Sequence, residues 1–390
     1  MAKNWAPQDW EHGGFGLYVH WPFCQAKCPY CDFNSHVVAH IDQGAWAAAY
    51  LSEIDRIGAE TKGRILRSVF FGGGTPSLMD PEIVDAILAK VRGTWSMAND
   101  VEITLEANPT SVEAGRFAGY RDAGVNRVSM GIQALNDADL RALGRLHSVN
   151  EALTAFDTAR SVFDRVSFDL IYARQGQSLK AWEAELNQAL GLAVDHLSLY
   201  QLTIEDGTAF GDRYAAGKLK GLPDDDTSAD MFALTQDVCG AAGFHGYEVS
   251  NHARSGNESI HNQIYWRYGV YAGVGPVAHG RLTIDDVRYA TEAPPAPIGW
   301  LAQVRKAGNG DLSRTALSDQ DQLAEFLLMG MRLTEGVSLS RFSLLSDDLF
   351  NNRINKLKNI GMVEFDDGLL RLTPKGRPVL NAVLRELLSD

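Results

Sequence analysis

Short runs of β-branched and aromatic residues alternate with amphipathic stretches through the first half of the chain. The β-branched and aromatic runs predict β-strands, and the amphipathic stretches, with apolar positions three or four residues apart, predict helices. The predicted strands lie near residues 15–20, 67–71, 101–106, 126–131, 165–171 and 195–200. The predicted helices lie near residues 43–60, 80–92, 111–123, 137–143, 149–163 and 178–192. Six βα units in this order predict a parallel sheet with helical crossovers, either doubly wound or an open barrel.

Polar or glycine residues follow each predicted strand at its carboxyl end. They are His20, Gly72–Thr75, Glu106, Gln133, Asp169 and Gln201. In doubly wound sheets and in barrels, the carboxyl ends of parallel strands carry the chemistry. The sequence therefore predicts one shared pocket at this edge of the sheet.

The second half of the chain divides at two turn-rich segments. Residues 205–225 are acidic and rich in turn residues, and 293–297 read Ala-Pro-Pro-Ala-Pro. We therefore expect a domain of βα units over 1–225, a connecting segment over 226–300 and a C-terminal domain over 301–390. Helices predicted near 319–333, 338–345 and 349–360, followed by a hairpin over 362–373, form a winged-helix-like α+β pattern.

Composition and charge exclude several classes of protein. Hydrophobic residues make up 45% and charged residues 22% of 390, so a large core is expected and disorder is not. The net charge of −13 argues against nucleic-acid binding, and residues 310–390 hold 10 basic against 12 acidic side chains. No apolar run approaches membrane-spanning length, and the start lacks a secretory-signal pattern. We expect a cytoplasmic protein.

Three of the four cysteines lie within eight residues, at Cys24, Cys28 and Cys31, whereas Cys239 stands alone. Three thiolates in one loop can bind three irons of a 4Fe-4S cluster and leave the fourth iron open. The alternative is a structural zinc ion, with His20 or His36 as a fourth ligand. On a helix, Cys239 is expected to be a small core residue.

The cysteine spacing C-x3-C-x2-C after a first strand, with Tyr30 before the last cysteine, resembles the radical S-adenosylmethionine (SAM) superfamily. Gly72-Gly-Gly-Thr-Pro76 after the second strand is similar to that family's glycine-rich loop. Four further stretches resemble its coproporphyrinogen-oxidase-like branch: Leu105–Pro109, Arg127–Gln133, Asp169–Tyr172 and His196–Thr203. The resemblance implies an α/β fold, an open partial (β/α)6 TIM-like barrel with a C-terminal winged-helix-like domain. It also implies a 4Fe-4S cluster whose fourth iron binds SAM.

The resemblance further implies a set of SAM contacts. They are Tyr18, Gly74, Thr75, Glu106, Gln133, Arg145 and Asp169. Carboxylates can accept hydrogen bonds from ribose hydroxyls or the SAM ammonium, and an arginine can pair with the SAM carboxylate. Glycine at 74 would let the SAM amino group approach the backbone closely. Taken alone, Glu106 or Asp169 could equally cap a helix at a strand end.

Two departures separate this chain from the oxidases of that branch. Phe33 stands where the oxidase carries a further cysteine, and only 23 residues precede Cys24. Both features, together with Gly246–Asn251 and the H-N-x-x-Y-W stretch His261–Trp266, resemble the haem chaperones of the branch. By that resemblance His261 would ligate haem iron, and Tyr265 and Trp266 would offer flat faces to the porphyrin. The alternative is a structural turn whose aromatic side chains fill the core.

The resemblance thus implies a protein that binds haem, a 4Fe-4S cluster and SAM. It would pass haem to haem-requiring respiratory proteins, including membrane-associated enzymes, and would exchange between monomer and homodimer. The alternative enzyme would be an oxygen-independent coproporphyrinogen III oxidase, which decarboxylates propionates with a SAM-derived radical. A third class, a zinc-stabilised winged-helix regulator, is disfavoured by the acidic charge.

Overall fold

The computed structural model describes residues 9–341 and 348–389. Its main sheet contains twelve strands in this part of the chain. The strands are β1 Phe15–Trp21, β2 Ile65–Gly73, β3 Ser96–Ala107, β4 Arg127–Gln133, β5 Arg165–Tyr172, β6 His196–Gln201, β7 His245–Gly246, β8 Asn251–Ala253, β9 Val270–Val274, β10 His279–Ile284, β11 Val287–Glu292 and β12 Ser313–Ala316.

Strands β1 to β6 lie side by side in chain order, and each pairs in parallel with the next. Helices connect them as crossovers, as the amphipathic pattern predicted. The helices as far as residue 241 are α1 Asp9–Gly13, α2 Gln43–Glu60, α3 Pro81–Thr94, α4 Ser111–Ala114, α5 Phe117–Ala123, α6 Asp137–Ala142, α7 Val149–Val162, α8 Leu179–Leu192, α9 Ala209–Ala215 and α10 Asp225–Ala241. The expected open partial (β/α)6 barrel is confirmed.

The crossover helices begin where the sequence supplies capping side chains. Ser148 and Glu151 form a capping box at the start of α7, and Ser178 accepts from the backbone N–H of Ala181 at the start of α8. The apolar faces of these helices pack against the sheet around fully buried side chains such as Trp182. This packing fixes the strand ends that carry the polar residues.

Both edges of the six-strand barrel carry additional strands. On one edge β9 pairs in parallel with β1, and β10, β11 and β12 continue as an antiparallel ribbon. On the other edge β8 pairs antiparallel with β6, followed by β7. Residues 245–316 thus extend the same sheet, through strands of two to six residues. The division of the chain at 225 and 300 stays a prediction.

The C-terminal part is a small α+β unit with its own core. It contains a three-stranded antiparallel sheet in the order β13-β15-β14. Its elements, with the two helices that precede it, are α11 Ile260–Trp266, α12 Pro297–Ala307, α13 Asp319–Gly330, β13 Val337–Ser338, α14 Asp348–Asn359, β14 Val363–Asp366, β15 Leu369–Leu372 and α15 Leu380–Leu388. Asp367 and Gly368, both at positive φ, form the tight hairpin turn that the sequence predicted.

One predicted C-terminal helix differs in type and start over its described residues. The stretch 338–345 was expected to be helical, but it starts within β13 and continues as a 3-10 turn over Leu339–Arg341. Residues 342–345 lie outside the described part of the chain. Leu339 is buried in the C-terminal core, so its apolar character reflects packing rather than helical periodicity. Within residues 9–341 and 348–389, no helix combines the length and apolar character needed to cross a membrane.

Candidate functional site

A cavity of about 510 Å³ opens at the carboxyl ends of the parallel strands, and we call it the front cavity. It brings together nine of the residues predicted from sequence. They are Cys24, Cys28, Cys31, Gly74, Thr75, Glu106, Gln133, Arg145 and Asp169. Five of these nine are strand-end residues, Gly74, Thr75, Glu106, Gln133 and Asp169, and they share one cavity as the strand-end argument predicted, whereas His20 does not line it. The binding roles of all nine stay predictions.

The cysteine loop, residues 22–36, leaves β1 and returns to the same point. Its two ends are joined by a β-bridge between Phe23 and His36. The N–H of Cys24 donates to the carbonyl of His36 at 3.0 Å, and the N–H of His36 donates to the carbonyl of Pro22 at 2.7 Å. The loop therefore has a fixed base, and its three thiols lie around the cavity wall.

The glycine turn, residues 72–76, lies directly on that base. The N–H of Gly74 donates to the carbonyl of Trp21 at 2.7 Å, and the N–H of Thr75 donates to the carbonyl of Phe23 at 2.8 Å. A Cβ atom at position 74 would lie 2.7 Å from the Phe23 carbonyl oxygen and 3.0 Å from its nitrogen. Glycine is therefore required here for the turn to contact the cysteine loop. The close approach of SAM, which the sequence suggested as the reason for this glycine, stays a prediction.

Hydrogen-bond donors reach two of the three thiols. The Thr75 hydroxyl donates to Cys24 Sγ at 3.3 Å, and Arg145 Nη1 donates to Cys28 Sγ at 3.4 Å. Burial raises the pKa of the Cys24 and Cys31 thiols. The hydrogen bond from Thr75 opposes this rise for Cys24, and a hydrogen bond from the backbone of Phe33 opposes it for Cys31. Within the described residues, no three His, Cys, Asp or Glu side chains converge as a site for a single metal ion requires.

Asn108 connects these two donors and was not singled out from the sequence. Its side-chain N–H donates to the Thr75 hydroxyl at 3.1 Å, and its carbonyl oxygen accepts from Arg145 Nη2 at 2.6 Å. Arg145 Nη2 also donates to the carbonyl of Gly131. The guanidinium is therefore already oriented by protein groups. The only sequence signal for Asn108 was its place in the matching stretch Leu105–Pro109.

Two carboxyl groups line the floor of the front cavity. Burial, and next the charge of Asp169, raises the pKa of Glu106 to about 8. Burial also raises the pKa of Asp169 to about 6, opposed by Ser198, Arg127 and Ser129. Ser129 donates to Asp169 Oδ1 at 3.3 Å. The site can therefore bind a proton or a cationic ligand between these carboxyls near neutral pH.

Gln133 and Arg145 each contribute to the cavity wall a buried polar atom without a partner among the described residues. Gln133 has a backbone φ of 76°, which is unusual for glutamine, and its Oε1 is sealed without a hydrogen bond. Arg145 Nε is likewise sealed and unpartnered. Buried polar groups normally make hydrogen bonds, so these two atoms fit a polar ligand that supplies both a donor and an acceptor. SAM, with an ammonium, a carboxylate and ribose hydroxyls, has that chemistry.

The remaining predicted residues lie elsewhere. Tyr18, His261 and Tyr265 line a second cavity of about 180 Å³, the inner cavity, which shares Glu106 and Asp169 with the front cavity. Tyr18 is in the middle of β1 rather than at its carboxyl end, and it lines the inner cavity instead of the front cavity.

Both ring nitrogens of His261 have protein partners. Nδ1 lies 2.7 Å from the Ser68 hydroxyl, and Nε2 lies 2.9 Å from the Tyr265 hydroxyl. The ring is 2% exposed and stacks on Phe70. Trp266 lines neither cavity, and Arg332 lies over its ring. A haem-ligating role for His261 stays a prediction, and it would require one of these hydrogen bonds to break.

Cys239 is separate from this site. It lies on α10, fully buried in the main core. Burial raises the pKa of its thiol to about 12, as expected for a small apolar core residue.

The fold and the three-thiol cavity define a radical SAM protein. The model of the radical SAM superfamily matches residues 18–189, and that of the HemN C-terminal domain matches residues 317–379. Among solved structures, coproporphyrinogen III oxidase (HemN) from Escherichia coli aligns with a TM-score of 0.79 at 22% identity. That alignment covers 96% of this chain and 90% of the oxidase, and it supports the shared fold.

Relatives that align over nearly their full length identify the family within this superfamily. The chain is 36% identical to the heme chaperone HemW of Escherichia coli K12, over 96% of this chain and 98% of that protein. It is 38% identical to the mitochondrial radical S-adenosyl methionine domain-containing protein 1 of Bos taurus, over 96% and 87% of the two chains. The chain therefore belongs to the HemW family within the radical SAM superfamily.

Proposed function

We propose that this protein is a haem chaperone that binds a 4Fe-4S cluster and SAM and transfers haem to acceptor proteins. The observation that carries this proposal is the relationship to the Escherichia coli heme chaperone HemW over almost the whole of both chains. An alignment of this extent includes the cysteine loop, the barrel and the C-terminal unit together. The acceptors implied by the sequence resemblance are haem-requiring respiratory proteins.

Cys24, Cys28 and Cys31 would bind the cluster. They are the only thiols of the front cavity among the described residues, and the fourth cysteine is buried elsewhere. Thr75 and Arg145 donate hydrogen bonds to two of them, which stabilises negative charge on sulfur. When bound, a 4Fe-4S cluster with an open iron supplies one-electron chemistry at the SAM sulfonium.

The walls of the front cavity would bind SAM. Glu106 and Asp169 can accept hydrogen bonds from ribose hydroxyls or from the ammonium group, and Gln133 Oε1 is a sealed acceptor beside them. Arg145 is fixed by Asn108 and Gly131, and its Nε is sealed in this structure, so pairing with the SAM carboxylate would require a local shift of the guanidinium. These contacts would orient SAM against the cysteine loop.

Haem binding and porphyrinogen turnover distinguish the chaperone from the oxidase alternative. Anaerobically reconstituted protein should bind haem to saturation at a defined stoichiometry in a visible-absorption titration. The same preparation should leave coproporphyrinogen III unchanged when SAM and a reductant are added. Conversion of coproporphyrinogen III, or failure of haem binding to saturate, would contradict the chaperone function.

A further inference from the structure

A single amide side chain links the two hydrogen bonds that reach the thiols of the front cavity. Asn108, directly after β3, donates through its side-chain N–H to the Thr75 hydroxyl and accepts through Oδ1 from Arg145 Nη2. Thr75 donates in turn to Cys24 Sγ, and Arg145 Nη1 donates to Cys28 Sγ. Asn108 can therefore act on two sulfur atoms through these two neighbours.

The guanidinium of Arg145 determines which way the Asn108 amide points. A guanidinium only donates, so the amide atom that faces Arg145 must be the carbonyl oxygen. The amide nitrogen then faces Thr75 and donates to its hydroxyl oxygen at 3.1 Å. Because the Thr75 oxygen accepts this bond, its own hydrogen is free to donate to Cys24 Sγ, 3.3 Å away. The direction of each hydrogen bond in this chain thus follows from the Arg145 charge.

The backbone of Asn108 is held by Glu113, a residue of α4 that is 1% exposed. The Glu113 carboxylate accepts from the backbone N–H of Asn108 at 2.8 Å and from the Ser77 hydroxyl. Ser77 lies in the 3-10 turn Pro76–Leu78, so Glu113 joins the end of β3 to the segment that follows Thr75. The protein alone therefore holds Asn108 in the position from which it reaches both donors.

Hydrogen bonds to the cysteine sulfurs of an iron–sulfur cluster influence its reduction potential. Reduction adds negative charge, so a donor aimed at a sulfur ligand stabilises the reduced form more than the oxidised form and raises the potential. Two of the three thiols accept such a bond from a side chain, and one of the donors is a charged guanidinium. Both donors contact Asn108.

We propose that Asn108 is a positioning residue that raises the reduction potential of the 4Fe-4S cluster, by directing the Thr75 hydroxyl to Cys24 and holding Arg145 beside Cys28. This inference rests on the proposed cluster binding and adds a determinant of its potential. A higher potential lets a milder reductant reduce the cluster, and it makes electron transfer to SAM less favourable. Asn108 would thus restrain SAM cleavage in a protein whose proposed task is haem transfer.

The test is the reduction potential of the cluster in Asn108→Asp, followed by electron paramagnetic resonance during a redox titration. Aspartate has nearly the same size and still accepts from Arg145, but its second oxygen can only accept. The Thr75 hydroxyl must then donate to the aspartate, and the hydrogen bond to Cys24 is lost. We expect the equilibrium constant for reduction to fall by about tenfold or more, and tenfold is about 59 mV for a one-electron couple.

A second background separates this effect from the charge of the aspartate, which lowers the potential by itself. In Thr75→Val no hydroxyl remains to be redirected, so Asn108→Asp should lower the equilibrium constant by about tenfold less than it does with Thr75 present. Asn108→Ala adds no charge and should also have the smaller effect in Thr75→Val, so it tests the proposal if the aspartate variant assembles no cluster. Asn187→Asp, at an exposed position of α8, should leave the potential unchanged.

Cluster content, from iron and sulfide analysis, should stay at the wild-type level in Asn108→Asp, because Asn108 is not one of the three proposed ligands. Equal shifts of the potential in the two backgrounds, or an unchanged potential in both Asn108 variants, would overturn the positioning role. Haem titration tests the proposed chaperone function separately, since it does not depend on the cluster potential. A wild-type chain that assembles no cluster would overturn the proposed cluster binding, and this inference with it.

Discussion

The four thiols of this chain differ in what surrounds them. Cys24 and Cys28 each accept a hydrogen bond from a cavity side chain, and all three thiols of the cysteine loop are partly exposed to the front cavity. Cys239 is packed in the main core and is fully buried. The fourth thiol therefore serves core packing, and the environment of the other three supports the proposal that they bind the cluster.

Replacing any one of Cys24, Cys28 or Cys31 by Ser should abolish most of the cluster absorption, since each would be one of three protein ligands. Iron and sulfide analysis after anaerobic reconstitution measures the loss. Cys239→Ala is the matched control and should retain full cluster content, at a stability cost of about 1 kcal/mol for the small cavity. Equal iron loss in the control would show that the assignment is wrong.

Glu106 should make the stability of the protein depend on pH. Its pKa is raised by burial to about 8 in the folded chain, above the ordinary value for glutamate. The folded state thus binds the proton more tightly than the unfolded state does. The resulting stabilisation is complete below about pH 4.5, the ordinary value, and it is lost as the pH rises through about 8.

Glu106→Gln mimics the protonated carboxyl group at every pH. The variant without cofactors should therefore be more stable than the wild type at pH 9, by about 1–3 kcal/mol after allowance for partial exposure. At pH 4.5 the two proteins should have similar stability. Urea unfolding at the two pH values measures the difference. A constant difference between the two pH values would mean that Glu106 does not titrate in this range.

At the scale of elements, the contact between the glycine turn and the cysteine loop controls the shape of the site. Gly74→Val should push the Phe23 backbone away, because a Cβ there would lie 2.7 Å from its carbonyl oxygen. We expect both cluster content and SAM affinity to fall. The control is Gly93→Val on α3, where no atom lies within 4 Å of the added Cβ. Normal cluster content with weakened SAM binding would indicate that only the SAM approach requires this glycine.

The sequence predicted the elements whose pattern is long and regular. Strands β1 to β6 and their crossovers follow from apolar runs, and the strand-end rule then predicted the front cavity. Strands such as β7 and β8, of two and three residues, are too short to leave a periodic signal. Asn108 was missed because its place in the site depends on hydrogen-bond partners distant in sequence, such as Arg145.

At the scale of the whole molecule, Glu325 connects the C-terminal unit to the main sheet. Its carboxylate accepts from Arg281 Nη2 at 2.8 Å and Nε at 3.0 Å, and from the Tyr268 hydroxyl at 3.0 Å. The Arg281 and Glu325 side chains are 18% and 19% exposed. Loss of the carboxylate would leave a largely buried guanidinium without this partner.

Glu325→Ala should lower the free energy of unfolding by about 2–4 kcal/mol, because the remaining charge is poorly solvated. The C-terminal unit should then unfold at a lower temperature than the barrel in calorimetry. Arg371→Ala removes an ion pair with Glu364 in which both side chains are about half exposed, so it should change stability by less than about 1 kcal/mol. Equal effects of the two substitutions would exclude a special role for Glu325 at the interface.

The position of β1 within the sheet determines how strongly the strand before the cysteine loop is protected from opening. Residues 15–19 of β1 are paired with β2 on one side and with β9 on the other. Their amide hydrogens should therefore be among the slowest to exchange with solvent, since opening them requires disruption of the barrel. The cysteine loop has no comparable pairing along its length, because its base is closed by one bridge and only single hydrogen bonds, such as Phe210 N–H to the Pro29 carbonyl, hold it from outside. If the proposed cluster binds this loop, damage to it by oxygen would therefore disturb a short segment while the barrel stays folded.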